Sequence, residues 1–232
     1  MTSPSLLLPF QSRIANLTGD TGSKLATGSA DDALAAAVIR YSTDRPQLAC
    51  ELLTASGGAV GLPVGWQGQF SRVVKLEYPI GKRPPSYLRP EDWFMALSPD
   101  GEAITLMVPP PDGANVQCLY TIAQVLTSSV NTIPPQDATA VCCWAASLLC
   151  DELASAYSAN TEPTIQADRV DYTSPQRNYQ TRAEKLRGRY YDALGIDPKK
   201  VDPAGVDVNF RDKSSLGGNR ITHPLTGWFP RI

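Results

Sequence analysis

The sequence predicts an α+β protein: a small helical bundle core carrying an inserted antiparallel β region, with extended N- and C-terminal arms. Three observations predict it. Apolar residues recur at helical spacing in segments near 30–42, 136–158 and 175–194. The stretch 47–130 instead holds short β-prone runs punctuated by Pro and Gly. Both ends, 1–28 and 196–232, are turn-rich and carry little periodic apolar character. The expected organisation is an N-terminal arm 1–28, one domain 29–195 with its β insertion at about 47–130, and a C-terminal arm 196–232.

The first helix is expected after Ser29, a capping residue type, with Asp31 and Asp32 in the first turn. Leu34, Val38 and Tyr41 share one of its faces, and it should stop before Pro46. LACELLTA, RVVKLEY, WFMALS, AITLMV and NVQCLYTI read as strands, and Asp100-Gly101 as a hairpin turn. PIGKRPPSYLRPED is expected to be a surface loop carrying Lys82 and Tyr87 outward, because its prolines exclude a central strand. Pro134 and Pro135 suit the opening of a long Ala-rich helix with an apolar stripe of Val141, Ala145, Leu148, Leu149, Leu153 and Ala156. A last helix begins at Pro175 after Ser174 and buries Tyr179, Ala183, Leu186, Tyr190 and Leu194, and Gly195 ends it. Its other face carries Arg177, Arg182, Lys185, Arg187 and Arg189 against Glu184 and Asp192, while the Ala-rich segment carries only Asp137, Asp151 and Glu152. Antiparallel pairing of these two helices joins opposite charges.

The 232 residues bear a net charge of −2, which gives no global attraction to nucleic acid or anionic membrane. No apolar run reaches the roughly 20 residues that a membrane span needs, and MTSPSLLLPF lacks the basic start of a signal peptide. The reading is therefore a chain that folds in a cytoplasm, with no membrane partner. Cys50, Cys118, Cys142, Cys143 and Cys150 form no C-x-x-C pair and read as small buried hydrophobes.

Catalytic, metal and cofactor sites are all expected to be absent. His223 is the single histidine, so a Ser–His–Asp arrangement would have to use it in the C-terminal tail, and it lies far in sequence from the cysteines that a zinc set would need. Asp31-Asp32, Glu91-Asp92 and Asp151-Glu152 read as helix-end or turn charges, and Gly57-Gly58 and Gly217-Gly218 match no phosphate-binding fingerprint. The basic face of the last helix could neutralise phosphates, but charge pairing within or between subunits accounts for it better in a slightly acidic chain. Trp228, Phe229 and Ile232 at the terminus suit anchors for a partner's pocket. Two alternatives stay open: a monomeric ligand-binding or regulatory domain, and a small enzyme with an unrecognised site around Glu77, Tyr78 and Arg83.

GWQGQFSRVVKLEYPIGKRPPSYLRPEDW, followed by a PDG hairpin and NVQCLYT, resembles the inserted β region of head-to-tail adaptor (connector) proteins of tailed bacteriophages. Trp66, Phe70, Glu77, Tyr78, Pro79 and Trp93 are its landmarks. The Ala-rich helix, the TIQADRVDYTS linker and YQTRAEKLRGRYYDALG resemble that family's helical core, so the likeness spans about 30–195. The resemblance implies a virion subunit, assembled in the bacterial host cytoplasm into a homo-oligomeric ring, usually a dodecamer, beneath the portal protein. Viral double-stranded DNA would pass non-specifically through its channel, and a neck or tail-completion protein would bind its other face. Val141, Leu148, Tyr179, Leu186 and Tyr190 would pack the ring body. The arm with His223, Trp228, Phe229, Arg231 and Ile232 would dock on the portal.

Overall fold

The computed structural model describes residues 5–20, 24–98, 101–159 and 175–199. Those up to Ile196 belong to one compact unit, and 197–199 to a second that spans Asp197–Ile232. Two helices come first, α1 (Leu8–Thr18) and α2 (Ser29–Asp44). Six strands follow: β1 (Gln47–Ser56), β2 (Ala59–Val60), β3 (Val73–Glu77), β4 (Trp93–Ser98), β5 (Gly101–Leu106) and β6 (Asn115–Ile122). Then come α3 (Ala138–Ala159) and α4 (Pro175–Leu194).

This overturns the expected small helical bundle with a minor β insert. Among the described residues the structure pairs four helices with a six-stranded antiparallel half-barrel, 41% helix and 23% strand. The strands run β3-β6-β1-β2-β5-β4 across one sheet. The sheet has its own core of Leu53, Ala55, Val60, Leu76, Ile104, Leu106, Val116, Cys118 and Tyr120. The reason is register. In the long β1–β6 ladder Leu53 lies opposite Val116, and β2 sets Val60 opposite Ile104. Directly opposed residues share a face, so alternation gathers every apolar inward position onto one side. The two residues of β2, too short to show a pattern, join the halves of the sheet.

The N-terminal arm is also corrected, because residues 8–18 form α1. Pro9 occupies its first turn, where a missing N–H costs nothing. Phe10, Ile14 and Thr18, spaced by four, are buried on its inner face. Gly19 ends it in the left-handed conformation, φ 60°, with its N–H on Ala15 O. A side chain at Gly19 would also sit 2.9 Å from the Arg182 guanidinium, which is mobile enough to move aside, so it is the left-handed backbone that favours glycine here.

α3 is the axis of the helical half. It packs most extensively on α4 and also on α1 and α2. The expected single stripe is therefore too narrow: Ala140, Val141, Cys142, Cys143, Ala145, Ala146, Leu149, Cys150 and Leu153 are all buried, on nearly every side. Its Ala and Cys side chains let three neighbours approach closely. The same composition makes α3 long and apolar enough to cross a membrane by length and composition alone, which corrects the expectation that no segment is. α2 opens at Gly28 without a side-chain cap, and the Ser29 hydroxyl instead donates to Glu152 at 2.9 Å. α4 has the predicted limits.

Candidate assembly surface

The sheet exposes apolar surface in two places. On its outer face β1 presents Leu48 and Leu52, 57% and 59% exposed. Leu119 of β6 lies opposite Cys50 between them. Exposed Val74, at the β3 bulge, continues this outer surface, and Lys75 sits 4.8 Å over the Tyr87 ring.

The second place is β4, which ends the sheet on one side. Met107 N–H donates to Asp92 O and Leu106 N–H to Gly58 O. Antiparallel alternation then directs Phe94, Ala96 and Ser98 toward β5, and turns the N–H and C=O groups of Trp93, Met95 and Leu97 outward. Among the described residues no backbone hydrogen bond meets this edge. The strand reads WFMALS, without a charge or proline, and Leu97 is 83% exposed. Beside it Trp66, Gln69, Ser71 and Glu102 line a cleft of about 350 Å³ with Met95 and Leu97. The opposite edge is treated differently. Tyr78 N–H bonds Ser86 O and Leu88 N–H bonds Leu76 O, so the proline-rich loop lies along β3 and blocks it.

The landmark residues serve this sheet rather than a reactive centre. Trp66 packs 6.2 Å from Tyr120 between ring centres, and its buried indole N–H has no hydrogen-bond partner among the described residues. Glu77 is buried and accepts the Gly81 N–H at 3.3 Å, while its backbone pairs with Gln117 and Tyr87. It holds the loop in place. Tyr78 precedes a cis peptide to Pro79, and a second lies between Arg83 and Pro84. Phe70 lines a cleft with Ser42, Thr43 and Pro46 where the sheet meets α2. Trp93 packs against the sheet core. Lys82 and Tyr87 point outward as expected.

Of the packing residues, Val141, Leu186 and Tyr190 are buried, and Leu148 and Tyr179 half-buried. Tyr179 stacks on Tyr157 at 5.5 Å and donates to Gly19 O. The opposite charges of α3 and α4 meet at Arg187 and Asp151. The portal-docking candidates His223, Trp228, Phe229, Arg231 and Ile232 lie outside the described residues, as does the 160–174 linker.

Two tyrosine–carboxylate pairs, unforeseen in the sequence, lock the helices. Tyr41 OH donates to Asp137 at 2.6 Å, and Arg45 adds a contact at 3.2 Å. Tyr190 OH donates to Asp44 at 2.5 Å, and Arg40 joins it at 3.0 Å. Both phenols are held above their ordinary pKa, first by burial and then by the carboxylate each one meets. The only available signal was polar residues at the ends of apolar stripes, which sequence spacing cannot pair.

No group of three or more His, Cys, Asp and Glu able to hold a metal occurs among the described residues. No protein-family model and no curated protein matches this sequence.

Proposed function

We propose that this chain is a structural assembly subunit, a head-to-tail adaptor of a tailed bacteriophage, and that its chemistry is docking. The uncovered apolar edge of β4, set against a β3 edge that is covered, carries the reading. An open edge invites a further strand, and proteins that do not use one block it with charge, proline or a loop. Here one edge is blocked and the other, among the described residues, is kept apolar and unpaired, a pattern that fits an addition site for an extended segment of a neck component. The outer apolar residues of β1 widen that contact. The landmark order from Trp66 to Tyr120, and on through α3 and α4, supplies the family resemblance. In this reading the helices build a ring body under the portal, and the chain end carrying Trp228, Phe229 and Ile232 grips the portal. Many weak tail contacts from one ring then combine into firm attachment.

The test is light-scattering mass of the protein alone and mixed with the portal of the same virus. Full-length protein is expected to join the portal in a stoichiometric complex. Removing residues 220–232 is expected to leave the unfolding transition unchanged and weaken that complex at least about tenfold, the loss of one or two anchoring contacts per subunit. Equal attachment of the truncated protein would refute the docking role of the tail.

A further inference from the structure

The helical half carries opposite charges on opposite flanks. α1 and α4 leave a groove over α3, and a cleft of about 160 Å³ there is lined by Leu17, Arg182, Lys185, Leu186 and Arg189. Arg182, Lys185 and Arg189 share one exposed stripe of α4, at spacings of three and four. Arg13 of α1 borders the same region, hydrogen-bonded to Thr139 at 2.8 Å. The cations are within electrostatic reach of the cysteines of α3. Arg182 acts on Cys150, Arg189 and Arg13 on Cys143, and Arg13 on Cys142. Among the described residues, Arg182, Lys185 and Arg189 make no ion pair.

The other flank is acidic. Asp31 and Asp32 are exposed in the first turn of α2, and Glu152 of α3 meets Ser29 beside them. Cys150 and Glu152 are two residues apart on one helix. At 3.6 residues per turn they point to nearly opposite sides, so the basic groove and the acidic flank lie across α3 from each other. The acidic flank also has an apolar centre. A cleft of about 480 Å³ is lined by Leu7, Leu34, Val38, Ile39 and Leu126, with Asp31 at its rim. Ile39 is 69% exposed. An apolar patch with a charged rim is the usual build of a protein interface.

We infer that the basic α1–α4 groove of one copy docks on the acidic α2 flank of the next copy. This deepens the adaptor reading, and rests on it for its biological setting. Complementary patches on opposite sides of one subunit make a head-to-tail contact, which repeats around a closed ring. A nucleic acid is the less favoured occupant. The chain as a whole carries a charge of −2 and draws no polyanion from a distance, whereas the matching carboxylates are present on every copy.

The experiment is a charge swap read by light-scattering mass, with and without portal. One variant carries Lys185→Glu and Arg189→Glu, the other Asp31→Lys and Asp32→Lys. All four positions are exposed, and circular dichroism checks each fold. Wild-type protein is expected to assemble, alone or on the portal. The assembly should weaken at least about tenfold as salt rises from about 0.1 M to about 1 M, where the screening length falls from about 10 Å to about 3 Å. Each variant alone should lose the assembly. An equimolar mixture should regain it, because reversed faces then meet in alternation. Variants that assemble like wild type, or a mixture that fails to recover, would overturn the inference and leave the adaptor reading standing. Rescue without portal binding would uphold the contact and refute the adaptor reading. A chain monomeric under all conditions would overturn both. Duplex DNA binding abolished by Lys185→Glu and Arg189→Glu, at unchanged assembled mass, would assign the groove to nucleic acid instead.

Discussion

Burial decides how single residues in this protein behave. Cys118 is pushed up to about 12, and Cys142 and Cys150 to about 11, from the ordinary 9.0, because the folded interior disfavours a thiolate. Tyr41 and Tyr190 shift in the same direction from 10.0, again mainly through burial. A raised pKa means that the folded chain keeps protons the unfolded chain releases. These groups therefore give their full stabilising contribution below about pH 9, and lose it as pH climbs through 9 toward 11 and 12. Urea unfolding midpoints should be flat near pH 8 and fall steadily above about pH 9, and Cys118→Ala should shallow that fall. A midpoint that holds steady to about pH 11 would show that these thiols and phenols are not sequestered. The cysteine reading holds for Cys118, Cys142, Cys143 and Cys150, which are buried, and fails for Cys50, which is exposed on the outer face of β1. The sequence could not show that Tyr41 meets Asp137 or that Tyr190 meets Asp44, contacts separated by 96 and 146 residues.

Among the elements, β4 is where local chemistry and position diverge. Its run WFMALS reads as a strand from sequence, but only the sheet order makes it an edge. The hydrogen-bond phase then separates adjacent residues. Met95 directs its N–H outward and Ala96 directs its own to β5, so proline should act differently at the two. Met95→Pro should hold monomer stability within about 1 kcal/mol and remove strand addition, whereas Ala96→Pro should cost about 1–3 kcal/mol through the lost ladder bond and the β5 carbonyl it leaves unpaired. Urea denaturation and assembled mass measure the two effects, and equal destabilisation at both sites would show the edge to be paired. α1 is the converse case. Pro9 followed by Phe10 and Ile14 is a helical start, but the Ser, Thr and Gly around it read as an arm. Docking on α3 supplies the stability that an isolated helix of 11 residues lacks.

At the scale of the molecule, Arg45 joins the parts. It bonds Asp137 before α3 and the Leu194 carbonyl at the end of α4, and its own carbonyl accepts from Gln124 just past β6. Gln124 N–H also meets the Ser42 hydroxyl at 3.0 Å, so the sheet is fastened to the C-terminal turn of α2. Arg45→Met should cost about 1–3 kcal/mol, since Asp137 is only 6% exposed and would keep a single side-chain donor while Arg45 itself is partly solvated. Thermal unfolding should register this as a lower transition, and a change under about 0.5 kcal/mol would place the joint elsewhere. By itself the sequence determined three helices, five strands and the turn-rich loop, whereas of the expected charge match between α3 and α4 only Asp151 with Arg187 forms among the described residues, Asp137 meeting Arg45 and Glu152 meeting Ser29 instead. Those helices, strands and loop follow from periodicity, turn residues and composition, which act over one or two turns of chain. Tertiary structure alone decided that α1 is a helix, that β2 bridges two ladders into one half-barrel, and that β4 is left open while β3 is covered. It also placed the cations of α4 and the carboxylates of α2 on opposite flanks. Those outcomes depend on which segments share buried surface across a hundred residues, and spacing along the chain does not record that.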